Sequence, residues 1–309
     1  MKRLVSTRGL SREKWLCYRK NGIGGSDAAA VCGMNPYSSP LQVYYDKTSK
    51  EIPGGDKESM RQGRDLEDYV ARRFMEKTGL KVRRANAIYY DEHRPYMLAD
   101  ADRLVVGEKA GLECKTVSPY QADCWADGGV PLHYQIQCYH YMSVFGADKW
   151  YIAALVFGRE FLIREITYDP EIIRNIRQME QVFWQDHVQK RILPEPDGSE
   201  SADRLLLERF QTAKTGKTVL LDGFREKIDR RQKLVRMIDA MKTEQKQIEQ
   251  ELKLYLGDAE YAEGEGYQVW WKNVVSNRLD NEKLKKEKPD IYAEYLRQQN
   301  TRRLTIKAA

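Results

Sequence analysis

One stretch of the sequence, Tyr96 to Lys115, constrains the fold more than any other: Y-M-L-A-D-A-D-R-L-V-V-G-E-K-A-G-L-E-C-K. Apolar residues lead into Asp100-Ala101-Asp102, and Leu104-Val105-Val106 follow. After a turn from Gly107 to Gly111, a second short run extends from Leu112 to Thr116. Two β-rich runs split by a Gly-containing loop predict a hairpin, whose first arm opens at Tyr96–Ala99. Side chains alternate along a strand, so Glu113 and Lys115 share one face and Cys114 takes the other. Facing Cβ atoms of paired strands lie roughly 5 Å apart. An Asp ending one strand and a Glu on the next can therefore share a hard cation, with Lys115 one pleat further along. Such an arrangement suits metal-dependent hydrolysis of a phosphodiester.

Glu-x-Lys alone carries little weight in a chain that is 32% charged. It recurs at Glu244/Lys246 and Glu251/Lys253, inside a helical pattern where such residues are solvated charges. Strand context, a hairpin partner and an Asp 11 residues upstream set Glu113 and Lys115 apart.

Composition bounds the partners. A chain of 309 residues is long enough for two domains. Lys and Arg number 52 against 46 acidic residues, a formal charge of +6, so any nucleic-acid surface must be a local patch. Residues 201–309 hold 23 basic against 18 acidic residues, which places the excess in the C-terminal third. Five cysteines include no C-x-x-C pair, an odd count argues against a disulfide scaffold, and the four histidines show no zinc spacing with them. With no signal peptide and no long apolar run, the expectation is a soluble, cytoplasmic protein without a membrane partner.

The remaining elements follow in order. A short helix is expected over Ser11–Arg19, then a Gly-rich turn and an Ala-rich helical turn opened by Ser26-Asp27. Ser26 or Asp27 suits a helix N-cap, but the same geometry offers N–H groups to a phosphate onto which Arg19 could fork. Residues 36–57 read as a short helix and a loop. The next helix, closed by Gly79, carries Leu66, Tyr69, Val70 and Phe74 at helical spacing. Glu67 on that helix lies between Arg64 and Arg72, as a surface ion-pair partner would. Val82–Tyr90 reads as one strand, and a helix from Pro131 places Tyr134, Gln137 and Tyr141 on one face. Lys149–Phe157 and Glu160–Thr167 form a second hairpin around Gly158-Arg159 and complete a mixed sheet. A helix over Asp169–Ile192 leads to the boundary-like Pro194-Glu195-Pro196, so domains are expected over 1–198 and 199–309. Residues 201–218 make a short helical connection. Beyond it Leu221, Phe224, Ile228, Arg231, Val235, Ile238, Gln245, Ile248, Leu252 and Tyr255 trace a 3-4 spacing. That is a long helix, either half of a coiled coil or packed along another element, and polar Arg231 and Gln245 weaken the self-associating version. Tyr267–Lys272 reads as a strand, Arg278–Gln298 as a basic helix, and Arg302–Lys307 as a strand paired with Val269–Lys272.

The pattern Asp102…Glu113-Cys114-Lys115 resembles the PD-(D/E)xK nuclease core. The longer run L-A-D-A-D-R-L-V-V-G-E-K-A-G-L-E-C-K-T resembles the YqaJ-type viral recombinases, relatives of the lambda-type phage exonucleases. The likeness extends to R-x-x-x-I-x-x-S (Arg19, Ile23, Ser26), to G-R-x-x-E ending in Glu67, to the Y-x-x-Q helix of Tyr134 and Gln137, and to N-V-V-S-N-R-L-D. It implies an α/β (α+β) fold, a nuclease core with a central mixed β-sheet flanked by helices, plus a C-terminal extension of a long helix and a β-hairpin. It also implies Mg²⁺, with Mn²⁺ as a substitute, held by Asp102, Glu113 and the main-chain carbonyl of Cys114. Lys115 would orient the attacking water, Gln137 (or its rival Gln135) would support it, and Glu67 would carry a second ion or its hydration shell. Arg19 and Ser26 would receive a 5′-phosphate. Asp102 is chosen over Asp100 because it precedes the R-L-V-V run as the family's Asp does. The implied activity is 5′→3′ resection of double-stranded DNA ends in a bacterial host, leaving 3′ tails for a single-strand annealing protein, with a homo-oligomer as a further partner. A DNA endonuclease of the same superfamily and a non-catalytic DNA-binding or scaffold protein are the alternatives.

Overall fold

The computed structural model describes residues 1–50, 58–297 and 301–307, and the chain divides into two compact units, Met1–Phe210 and Gln211–Ala309. The first unit opens with β1 (Lys2–Ser6) and α1 (Arg12–Arg19), whose N-cap Ser11 accepts from Lys14 N. Then come α2 (Gly25–Val31), α3 (Pro40–Thr48) and α4 (Glu58–Thr78). The hairpin region holds β2 (Val82–Arg84), β3 (Ala87–Tyr90), β4 (Leu98–Ala99), β5 (Arg103–Val105) and β6 (Ala110–Val117). A 3-10 helix over Pro119–Gly128 precedes α5 (Leu132–Phe145), β7 (Lys149–Val156), β8 (Glu160–Thr167) and α6 (Pro170–Val182). A π-helical segment over Phe183–Gln189 and α7 (Glu200–Arg209) complete the unit.

A five-stranded sheet in the order β2-β5-β6-β7-β8 forms the centre. Only β6 and β7 run parallel, with Glu113 opposite Ile152 and Lys115 opposite Ala154, so the sheet is mixed. A parallel connection needs a crossover, and α5 supplies it. One face of the sheet packs with Met142, Trp150, Ile152 and Cys138, and the other with Val70, Phe74, Leu112 and Ala153. Gly111 is required here, because a Cβ on it would come within 2.1 Å of Trp150 Cζ2.

Several sequence expectations need correction. The strand expected over Val82–Tyr90 is split in two. Asn86 adopts a left-handed φ of 53°, which turns β3 out of the central sheet and into a second sheet of order β1-β3-β4. Leu98–Ala99 therefore pairs with Tyr89–Tyr90, and the catalytic-type hairpin begins only at Arg103. The cap of α2 is Gly24 and not Ser26 or Asp27, which sit in its first turn; Asp27 Oδ2 instead accepts from Gly24 N at 2.9 Å. The helix expected to Ile192 leaves α geometry at Phe183. The first unit also runs on to Phe210, because Ala202 and Leu205 of α7 are buried.

In the second unit α8 (Arg225–Leu256) is the expected long helix, followed by β9 (Tyr261–Gly264) and β10 (Tyr267–Trp270). The partner of β10 is β9, and residues 302–307 form no strand. The basic helix divides into α9 (Asn281–Glu287) and α10 (Pro289–Tyr295), since Pro289 has no N–H to continue the ladder; Gln298 lies outside the described residues.

Candidate active site

Alternation along β6 sends Cys114 toward the α4 side of the sheet and Glu113 and Lys115 toward α5. Glu113 is buried, and its Oε1 accepts from Lys115 Nζ at 2.6 Å and from Gln137 Nε2 at 2.6 Å. Lys115 Nζ also donates to Gln137 Oε1 at 3.1 Å and lies 4.6 Å from the centre of the Tyr134 ring. Gln137 Nε2 is shared with Tyr141 Oη at 3.2 Å, and Tyr141 in turn donates to the Asp100 carbonyl at 3.2 Å. The face of α5 carrying Tyr134, Gln137 and Tyr141 is thus the wall of the site. Gln135 turns away and donates to Val130 O at 2.7 Å.

Asp102 lies immediately before β5, and its Oδ2 accepts from Cys114 N at 2.8 Å. Glu67 on α4 is ion-paired to Arg103, which also donates to Asp68 at 2.6 Å. Asp100 accepts from the Trp15 indole, so its carboxylate is committed to α1. Arg19 lies 4.7 Å over the same Trp15 ring and donates to the Ser26 hydroxyl. One cleft of about 620 Å³ is lined by Arg19 and Ser26 alongside Glu67, Asp102, Glu113 and Gln137. Lys115 stands behind Glu113, just outside that lining.

The charges are arranged against solvation. Burial raises the Asp102 carboxyl well above its ordinary range, and the nearby Glu113 and Glu67 carboxylates add to the rise. Burial also raises Glu113, with Lys115 opposing it. Burial pulls the Lys115 ammonium down, but Glu113, Tyr134 and Asp102 outweigh it and the net shift is upward, so the lysine stays charged. Arg103 is committed to Glu67 and Asp68, which leaves Asp102 and Glu113 facing a single cation. The second Glu113 oxygen, Oε2, is buried and without a hydrogen-bond partner. An orphaned carboxylate oxygen costs on the order of several kcal/mol unless something positive meets it. With the Asp102 carboxylate as its neighbour, that oxygen fits an oxygen-seeking divalent ion. Among the described residues no three His, Cys, Asp or Glu side chains surround one point. Such an ion would then keep part of its water shell, as Mg²⁺ does.

Reasoning from sequence did not single out Trp15, Arg103 or Tyr141 as parts of the site. Arg103 follows Asp102 directly and Tyr141 shares the α5 face with Gln137, so both had a local signal. Trp15 had none, because its partner Asp100 lies 85 residues further along the chain.

Residues 14–148, the span that holds every site residue named above, match the YqaJ-like viral recombinase domain. YqaJ of Bacillus subtilis (strain 168) is 38% identical over 309 residues, covering 98% of this chain and 97% of that one. The chain belongs to the YqaJ family. Among solved structures, the alkaline exonuclease LHK-Exo of Laribacter hongkongensis shares 17% identity with a TM-score of 0.50, covering 65% of this chain and all of that one. The same enzyme in complex with dAMP matches with a TM-score of 0.51 over the same share. At that identity the likeness concerns the fold, a mixed α/β core with a central mixed sheet flanked by helices, as expected from the sequence. For this YqaJ-family chain, no helix among the described residues is long and apolar enough to cross a membrane.

Proposed function

We propose that the protein is a Mg²⁺-dependent exonuclease that resects double-stranded DNA 5′→3′, leaving 3′ tails for a single-strand annealing partner. The observation that carries this reading is the buried, unpartnered Oε2 of Glu113 beside Asp102, in a cleft that also holds Arg19 and Ser26. Family membership and the alkaline exonuclease fold support it.

Asp102, Glu113 and the Cys114 carbonyl would hold the metal. Within a strand the N–H and C=O of one residue point to the same edge, and Cys114 N already points at Asp102. The metal supplies a lowered pKa for bound water and neutralises charge on the phosphate. Lys115, fixed by Glu113 Oε1 and Gln137 Oε1, places a permanent positive charge beside the nucleophile's path. Gln137 holds Glu113 and Lys115 in register, and Tyr141 holds Gln137. Glu67 orients Arg103, whose Nη1 also donates to the Asp102 carbonyl at 2.7 Å, so it acts on the loop that presents Asp102. Mn²⁺ satisfies the same oxygen donors.

A 5′-phosphate would compete with Asp27 and Ser26 for Arg19, 3.6 Å from Asp27. Charge-assisted bonds are worth roughly 1.5–3 kcal/mol, enough to bias selection among ends about ten-fold. The test incubates the protein and Mg²⁺ with linear duplex bearing a 5′-phosphate, the same duplex with a 5′-hydroxyl, and a closed circle. Fast loss of the phosphorylated strand, slower loss of its twin and an intact circle are expected. Cutting of the circle would replace the exonuclease by an endonuclease reading, and equal rates on both linear substrates would remove the pocket.

A further inference from the structure

We propose that α8 is a self-association helix and that the occupant of its apolar face is α8 of a second copy of this chain, running antiparallel. Leu234, Ile238, Met241, Gln245, Ile248, Leu252 and Tyr255 follow one another at spacings of 4, 3, 4, 3, 4 and 3. That is three heptads of a seam along about 33 Å of helix. The six apolar members are between 40% and 87% exposed, and Leu256 is the one buried residue of α8. A stripe this long, this regular and this exposed is the signature of an interface and not of scattered surface residues.

Charge selects both the partner and its direction. Arg225–Lys242 carries seven basic and three acidic residues, whereas Thr243–Leu256 carries three acidic and two basic. Antiparallel pairing of two copies lays the basic half of one on the acidic half of the other and opposes the helix dipoles. Parallel pairing instead lays the basic half of one helix on the basic half of the other. Gln245 within the seam lowers affinity but fixes register, which suits a specific pair and not an open bundle.

The experiment does not depend on activity: the full chain is measured by light scattering after size exclusion across about 1–50 μM, beside Ile238→Glu/Ile248→Glu. The expected result is a mass twice the 36.1 kDa chain for the native protein. In the double variant the dissociation constant should rise at least about 100-fold, with helical circular dichroism retained. For direction, Leu234→Cys and Leu252→Cys chains are oxidised separately and as a mixture, and cross-links are mapped by peptide mass. Antiparallel pairing gives the 234–252 link in the mixture and no 234–234 link. A monomer at every concentration would overturn the proposal and assign the stripe to another occupant. An assembly unchanged in the double variant would overturn it by placing the contact elsewhere, and a 234–234 link would overturn the antiparallel direction.

Discussion

Glu113 is asked to do two things at once: hold Lys115 through one oxygen and keep the other, buried and unpartnered, for a cation. Glu113→Gln should therefore lower the rate of cleavage by at least about 10³-fold, because a neutral amide lacks the charge that pairs with the lysine and holds a metal. Lys115→Ala should cost a similar factor. DNA affinity, set mainly by phosphate contacts elsewhere, should change little in either variant, as gel-shift titration would show. Asp102→Asn should match Glu113→Gln, while Asp100→Asn, which only loosens Trp15, should leave most activity. The reverse order would make Asp100 the ligand. That Glu113 and Lys115 share one face was legible in the sequence because strand alternation is a local rule, whereas the choice between Gln135 and Gln137 was not, since it depends on how α5 is rotated against β6. The commitment of Glu67 to Arg103 was half legible, as an ion pair of unknown partner. Asp27 adds a prediction about pH. Burial raises its carboxyl, but Lys47 at 2.6 Å and Arg19 outweigh burial and bring it down to about 2. The Lys47 ammonium is itself lowered, burial there exceeding the attraction of Asp27. Since the folded value lies below the ordinary 3.8, Asp27 stabilises the fold above about pH 4 and loses that contribution as pH falls toward 2. The contribution is about 2 kcal/mol at neutral pH. Urea unfolding of the native protein and Asp27→Asn should differ by that amount at pH 7 and converge as the pH falls to about 2; a constant gap would dismiss the linkage.

At the scale of elements, close approach decides what the site can be. Gly111 lets β6 lie against the buried Trp150 ring, and Gly25 lets α2 lie against Tyr141, where a Cβ would come within 2.6 Å of the ring. Gly111→Ala should lower stability by about 3 kcal/mol, because neither Trp150 nor the parallel β6–β7 ladder can yield easily. Thermal unfolding would measure it, and an unchanged midpoint would mean the sheet gives more readily than its packing suggests. The hairpin, the second hairpin and the long helix were readable from periodicity. The separate sheet of β1, β3 and β4 was not, because it depends on one left-handed residue, Asn86, inside an unbroken β-type run. The start of α2 was misread for a related reason: Ser and Asp are good caps, and here the chain uses Gly24 with Asp27 reaching back to it.

For the whole molecule, every proposed site residue lies before Phe210, and the second unit supplies none of them. A fragment of residues 1–210 should therefore fold and cut linear duplex at a rate within a few-fold of the full chain. A fragment ending at residue 198, where composition alone places the boundary, should be weaker. It lacks α7, whose Ala202 and Leu205 are buried and whose Arg209 guanidinium lies 3.5 Å over the Tyr45 ring. Tyr45 belongs to α3, which also carries Lys47, so loss of α7 loosens the helix that neutralises Asp27 beside the cleft. Removing a buried leucine costs about 2–5 kcal/mol, and losing the whole helix should cost at least as much. Urea midpoints of the two fragments would measure the difference. Equal stability would mean that α7 is a linker resting on the first unit and not part of its core. If 1–210 folds but no longer cuts, the second unit takes part in catalysis, and the division of labour drawn from the site residues fails.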